Sequence, residues 1–165
     1  MTRADDVVEQ ALEAPSERPS MIDLGILEEL TGFYLRAAYE ACYNDFATVL
    51  GPDKLKPGSF ALMSLIFENP GITQVELARG SGRDKSSVAI ALRQLEDSGL
   101  IRRVRLEGDR RSYASYLTSA GETLYQRMIA KARTHIERVD AIVGPERKAI
   151  LLTILKDIVD GLQAD

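Results

Sequence analysis

Through most of this chain the apolar positions recur three and four residues apart, and in one stretch they alternate instead. The first spacing lines one face of a helix; the second marks a strand. Leu27, Leu30, Tyr34, Ala37 and Ala41 form the first stripe and predict a long helix over residues 22–50, ended by Gly51-Pro52. Pro57 opens a second helix to about residue 68, with Phe60, Leu62, Met63, Leu65 and Ile66, and Asn69-Pro70-Gly71 breaks it. Thr73-Gln74-Val75-Glu76 has the form of a capping box, in which the Thr side chain caps the N3 amide and the Glu reaches back. The short helix it starts ends at Gly80-Ser81-Gly82. Asp84 caps the next helix, which runs to about Ser98 and stops at Gly99; Val88, Ala91, Leu92 and Leu95 share its apolar face. The period then changes, and residues 100–105 and 112–117 read as strands joined through Gly108-Asp109-Arg110-Arg111. Thr118 and Ser119 start a long helix through about Val143, Gly144-Pro145 interrupts, and a last helix covers residues 146–162.

Helix, tight turn, helix and hairpin, in that order, make a helix-turn-helix with a wing, a device that reads duplex DNA. The expected fold class is mainly α with a small β wing: a winged helix-turn-helix domain plus long dimerisation helices. In the last helix Ala149, Ile150, Leu151, Leu152, Ile154, Leu155, Ile158, Val159 and Leu162 are apolar almost all round. One domain of 165 residues has little core in which to hide such a helix. A second copy of the chain can bury it, so a homodimer is expected. The chain then divides into an acidic N-terminal arm (residues 1–20), a helical dimerisation region (21–56 and 119–165) and a DNA-reading lobe (57–118). The arm holds Asp5, Asp6, Glu9, Glu13 and Glu17 with Pro15 and Pro19. It reads either as disordered or as a short helix over residues 5–14 that drapes over the partner.

Composition narrows the function. One Cys excludes an intramolecular disulfide framework, and one His makes a catalytic zinc centre a poor fit. No Gly-rich phosphate loop and no clustered catalytic set is present, so neither enzyme activity, metal nor cofactor is expected. No apolar run of membrane-spanning length and no signal-peptide core occur, which predicts a cytoplasmic protein. Residues 79–111 hold nine Lys or Arg against five Asp or Glu, a net of +4, in a chain whose total is −4. One basic patch on an acidic protein steers DNA to that patch.

The candidate DNA contacts lie in that stretch. Opposite its apolar stripe, the second helix of the motif presents Ser86, Ala89, Ile90 and Arg93, with Arg83, Lys85 and Ser87 at its start. At the wing tip, Asp109 can pin one of Arg110 and Arg111 while the other enters a narrow minor groove, whose negative potential attracts a guanidinium. A basic face is in many proteins only a solvated face; here it coincides with the helix-turn-helix punctuation. The competing function is a winged helix used as a protein-interaction module, which often lacks an arginine-rich tip.

Over roughly residues 24–162 the chain resembles the MarR family of winged helix-turn-helix regulators. The matching pieces are residues 55–62 (LKPGSFAL), 73–78 (TQVELA), 84–88 (DKSSV), 95–103 (LEDSGLIRR), 109–111 (DRR) and 117–121 (LTSAG). The resemblance implies an obligate homodimer, a pseudo-palindromic operator and a small ligand that weakens DNA binding. It implies that Arg111 is the minor-groove arginine and Asp109 its positioning partner. Many members carry Arg where this chain has Ile90, so its base contacts are expected to be more apolar.

On the first helix, Arg36, Tyr39, Tyr43 and Phe46 follow i, i+3, i+7, i+10 and share a face. Such a stripe is either plain core or one wall of a pocket for an aromatic acid or its coenzyme A thioester, with Phe60 and Met63 facing it. In the family the ligand crevice lies between the dimer helices and the reading lobe, which these residues would line. A thioester would want basic residues at the mouth, for which Lys54, Lys56, Lys131 and Arg133 are candidates. Cys42 is read as a small buried hydrophobe, with redox sensing as the alternative. His135 is read as a surface or pocket-edge residue, with a ligand contact as the alternative.

Overall fold

The computed structural model describes residues 22–106 and 109–162, with the side chains of residues 109–111 excepted. The predicted arm, residues 1–20, lies outside the described residues. The chain divides between Ala38 and Tyr39 into two units.

The first unit holds a 3-10 turn, Gly25–Glu29, and the opening turns of helix α1, Thr31–Leu50. The helix expected from residue 22 therefore begins nine residues later. Gly25 takes a φ of +53°, outside the right-handed helical region, and Leu30 is extended, so the chain kinks before α1. No residue from 22 to 38 is buried, and Ile22, Ile26, Leu27, Leu30 and Tyr34 are exposed.

The second unit carries the rest of α1, then α2 (Ser59–Glu68), β1 (Ile72–Thr73), α3 (Gln74–Ser81), α4 (Lys85–Asp97), β2 (Ile101–Leu106), β3 (Asp109–Leu117), α5 (Ser119–Val143) and α6 (Pro145–Leu162). The strands form an antiparallel sheet of order β1-β3-β2. β3 begins at Asp109, three residues before the predicted start, because Leu106 pairs with Asp109 after a register shift at Arg105. Mainly α with a small β wing is thus the observed fold class.

The core is built where the helical stripes meet. Leu62, Met63 and Ile66 of α2 pack with Leu77 and Ala78 of α3, Val88, Ala91, Leu92 and Leu95 of α4, Ile101 of β2 and Tyr125 of α5. Leu62, Leu77 and Leu92 have no exposed surface; truncating any of them to Ala would cost about 2–5 kcal/mol. Met63, expected on a pocket wall, is a fully buried member of this core.

Local chemistry sets the ends of the elements. The Thr73 N–H donates to Glu76 Oε2 at 2.8 Å while Thr73 Oγ1 accepts the Glu76 N–H, closing the capping box. Gly82, at φ +64°, caps α3 and sends its N–H back to Ala78. Glu96 of α4 accepts from the Arg103 side chain and, at 3.3 Å, from its backbone N–H, which ties the recognition helix to β2. No helix among the described residues is long and apolar enough to cross a membrane.

Candidate nucleic-acid interface and ligand cavity

Helix α4 is held from beneath and capped at its start, so its outer face is presented rigidly. Val88, Ala91, Leu92 and Leu95 are buried, while Lys85, Ser86, Ile90 and Arg93 are exposed and Ala89 half-buried. Asp84 Oδ1 accepts the Ser87 N–H at 2.8 Å, and the Ser87 hydroxyl donates to Asp84 Oδ2 at 2.5 Å. Those two bonds hold the Asp84 carboxyl below the usual aspartate range. They also commit the Ser87 hydroxyl to the cap. Gln74 of α3 donates to the Lys85 carbonyl at 3.2 Å, fixing the angle at which α4 leaves the turn.

Arg83 departs from the expected pattern. Its guanidinium folds back onto Gly58 at the start of α2: a β-carbon on Gly58 would lie 2.6 Å from Arg83 Nη1. That nitrogen is buried and has no hydrogen-bond partner. The side chain is therefore turned inward rather than toward a groove.

In the wing, cross-strand register interleaves arginine with tyrosine. Arg102 pairs with Tyr116 and lies 4.5 Å from its ring; Arg105 pairs with Tyr113 at 5.9 Å. Arg103, engaged with Glu96, also lies 5.7 Å from the Tyr113 ring. These pairs were not legible in the sequence, since they depend on the register between a strand that carries the arginines and one that carries the tyrosines. The side chains of Asp109, Arg110 and Arg111 lie outside the described residues.

A cleft of about 310 Å³ opens in the second unit, between the later turns of α1, the start of α2 and the middle of α5. Tyr39, Cys42, Tyr43 and Phe46 form one wall, Gly58, Phe60 and Ala61 another, and Ala132, His135 and Ile136 the third. Tyr39 and Tyr43 stack at 6.4 Å, and Phe46 meets Phe60 edge-on at 5.1 Å. The predicted Tyr39, Tyr43, Phe46 and Phe60 thus come together. Met63 does not line the cleft, and Arg36 belongs to the first unit, where its guanidinium lies 5.9 Å from the Phe33 ring. Of the α5 wall only His135 was anticipated, as a pocket-edge residue; Ala132 and Ile136 were not, because nothing local shows which face of α5 meets α1. Two roomier hollows, of about 440 and 470 Å³, lie around Asn69 to Ile72 and around Gly82 to Lys85; neither has an aromatic side chain for a ring to stack on.

On the α5 wall His135 is paired with a carboxylate. Asp45 Oδ2 lies 2.7 Å from His135 Nδ1, and Asp45 Oδ1 accepts from Arg138 Nη1 at 2.9 Å. The hydrogen bond to His135 and then that to Arg138 lower the Asp45 pKa. Of the cations expected at a thioester mouth, Lys131 is engaged with Asp53 at 2.8 Å and with the Leu50 carbonyl at 2.9 Å. Lys56 borders a smaller adjoining cavity of about 40 Å³.

This architecture has known counterparts. Residues 55–113 match the model of the MarR family. A protein assigned to transcriptional regulation of the hcr operon in Thauera aromatica is 30% identical over 126 residues, 76% of each chain. The transcriptional repressor CouR bound to a 23-mer DNA duplex is 32% identical, with a TM-score of 0.74 over 84% of this chain and 99% of that one. CouR bound to p-coumaroyl-CoA is 30% identical, with a TM-score of 0.74 over 84% of this chain and 97% of that one. Capped recognition helix, wing and similarity agree, and the chain belongs to the MarR family of DNA-binding transcriptional regulators.

Proposed function

We propose that the protein is a homodimeric, cytoplasmic repressor of a pseudo-palindromic operator, released by a small aromatic ligand: a phenolic acid or its coenzyme A thioester. The observation that carries the ligand is the cleft walled by Tyr39, Tyr43, Phe46 and Phe60. Flat rings stack on such walls, and a volume of about 310 Å³ suits a ligand of one ring and a short chain. That CouR, 30% identical, has been solved with p-coumaroyl-CoA supports the same class of effector. The dimer is supported by the exposed apolar side chains of residues 22–34 and of α6. Residues 21–56 and 119–165 serve as the dimerisation region and residues 57–118 as the reading lobe. Lys85, Ser86, Ala89, Ile90 and Arg93 face the major groove, with Asp109, Arg110 and Arg111 at the minor groove.

Release requires differential affinity. The ligand must prefer a dimer whose recognition helices no longer match grooves about 34 Å apart. A coupling of about 1–3 kcal/mol lowers operator affinity some 5- to 150-fold. The test is a thermal-shift screen of phenolic acids and their coenzyme A thioesters, followed by a DNA mobility shift with each ligand that raises the midpoint. Tyr43→Ala is expected to keep operator binding and lose the response. A normal response in Tyr43→Ala would place the effector elsewhere.

A further inference from the structure

We propose that His135 reads a phenolic hydroxyl in this cleft, its Nε2 accepting the ligand's O–H, and that Asp45 is the positioning residue that fixes the ring for this task. The assignment rests on the cleft being the effector site and adds which end of the ligand His135 takes.

Asp45 lies directly behind the imidazole. Both of its oxygens are occupied, one by Arg138 and one by His135. Arg138 is a permanent cation and can only donate, so the carboxylate stays charged and can only accept. In a neutral ring the proton shared with Asp45 then sits on Nδ1, which leaves Nε2 with a lone pair and no hydrogen. Phe46, 5.3 Å away, packs against the imidazole and holds its plane. No described residue bonds to Nε2, and the ring itself lines the cleft.

The other lining groups sharpen the choice. They include Tyr39, Tyr43 and Cys42 but no Lys, Arg, Asp or Glu. A ligand carboxylate against His135 would meet a lone pair, with the Asp45 charge one ring-width behind it. A phenol meets a matched acceptor, and the carboxylate behind the ring strengthens that acceptor. The phenol end thus goes to His135 and the acid or thioester end away from it.

The chain has a single histidine, so its ring can be observed without ambiguity. Nitrogen-15 NMR of the 165-residue protein at neutral pH is expected to show the Nδ1–H tautomer; an Nε2–H tautomer or a doubly protonated ring would overturn the proposal. Calorimetry then compares 4-hydroxycinnamic with cinnamic acid, and likewise their coenzyme A thioesters. Wild type is expected to prefer the hydroxylated partner about tenfold, the effect of one hydrogen bond to a poised acceptor. In His135→Phe, and in His135→Leu as a second variant, the preference is expected to fall within about twofold while the unhydroxylated ligand still binds. A preference that survives both variants refutes the role of His135 and leaves the aromatic-ligand reading standing. If no member of either pair binds wild type, that reading falls and this one with it.

Discussion

The carbonyl oxygen of Leu100 occupies the space that a side chain on Gly121 would need: a β-carbon there would lie 1.9 Å from it. Gly121 has no left-handed φ, so glycine is required here for room and not for conformation. The contact closes a knot of backbone bonds. The Thr118 N–H donates to Leu100 at 3.0 Å, the Thr118 hydroxyl donates to Gly99 at 2.6 Å, and the Gly121 N–H donates to Thr118 Oγ1 at 3.1 Å. The start of α5 is thereby seated directly on the junction between α4 and β2.

Gly121→Ala is therefore expected to destabilise the protein by at least about 2 kcal/mol, since backbone on both sides must move. Gly80→Ala is the control. Its β-carbon would make ordinary contact at 3.5 Å with Leu65, and a helical Gly→Ala exchange gains about 0.5–1 kcal/mol. Denaturant unfolding of the two variants measures both signs. A Gly121→Ala protein as stable as wild type would mean that Leu100 does not press on this position.

The second prediction concerns acid. Asp84 has a folded pKa lowered by its bonds to the Ser87 hydroxyl and N–H. A depressed carboxylate contributes stability above its ordinary value of 3.8, and the contribution is lost as pH falls through the lower folded value. Asp84→Asn keeps a neutral cap without the charge. The wild-type melting temperature is expected to exceed that of the variant by a constant amount from about pH 7 to pH 5, and the gap to close below about pH 4. A gap as wide at about pH 3 as at neutrality would show that the charge of Asp84 contributes nothing.

How much of this could be read from the sequence follows from range. The capping box at Thr73, the Asp84 cap and the turn at Gly82 involve residues three or four apart, and each forms as expected. The buried stripe of α4 was legible for the same reason. The early start predicted for the first helix failed because apolar spacing continues through Leu27 and Leu30 while Gly25 and Leu30 leave the helical region. Met63 shares a helix with Phe60, yet only tertiary packing decides that Phe60 meets the cleft and Met63 the core. The His135–Asp45 pair spans ninety residues and has no local signature. Arg83 looked like a groove contact because it precedes the recognition helix; the vacant side-chain position of Gly58 accommodates it instead.

The third prediction tests the dimer. Ile150, Leu152, Ile154, Val159 and Leu162 are all exposed along α6, and Ile154 keeps half of its surface. A single chain would leave this apolar area in water. An obligate interface of about 2,000 Å² or more would bury it. Wild type is expected to sediment as a dimer at micromolar concentration, and Ile154→Glu to shift the population toward monomer and lower the melting temperature. A folded wild-type monomer under those conditions would refute the assignment.

The last prediction concerns how α4 reads bases. Ile90 stands 60% exposed on the outer face, and next to it lies half-buried Ala89. Such a surface has no hydrogen bonds to offer a base edge, and its natural partner in a major groove is the thymine methyl group. Replacing operator thymines one at a time by uracil, which removes only that methyl, is expected to weaken binding at one position per half-site. Ile90→Ser should abolish the distinction between thymine and uracil there. Arg93, exposed one turn further on, should act on a phosphate or base edge, so Arg93→Ala is expected to lower affinity and reduce the salt slope by about one. Arg83→Ala should leave that slope unchanged, because its guanidinium is turned inward against Gly58. If no thymine-to-uracil exchange alters binding, the apolar reading of the groove is wrong. If Arg83→Ala reduces the slope as Arg93→Ala does, Arg83 leaves Gly58 and turns outward when DNA binds.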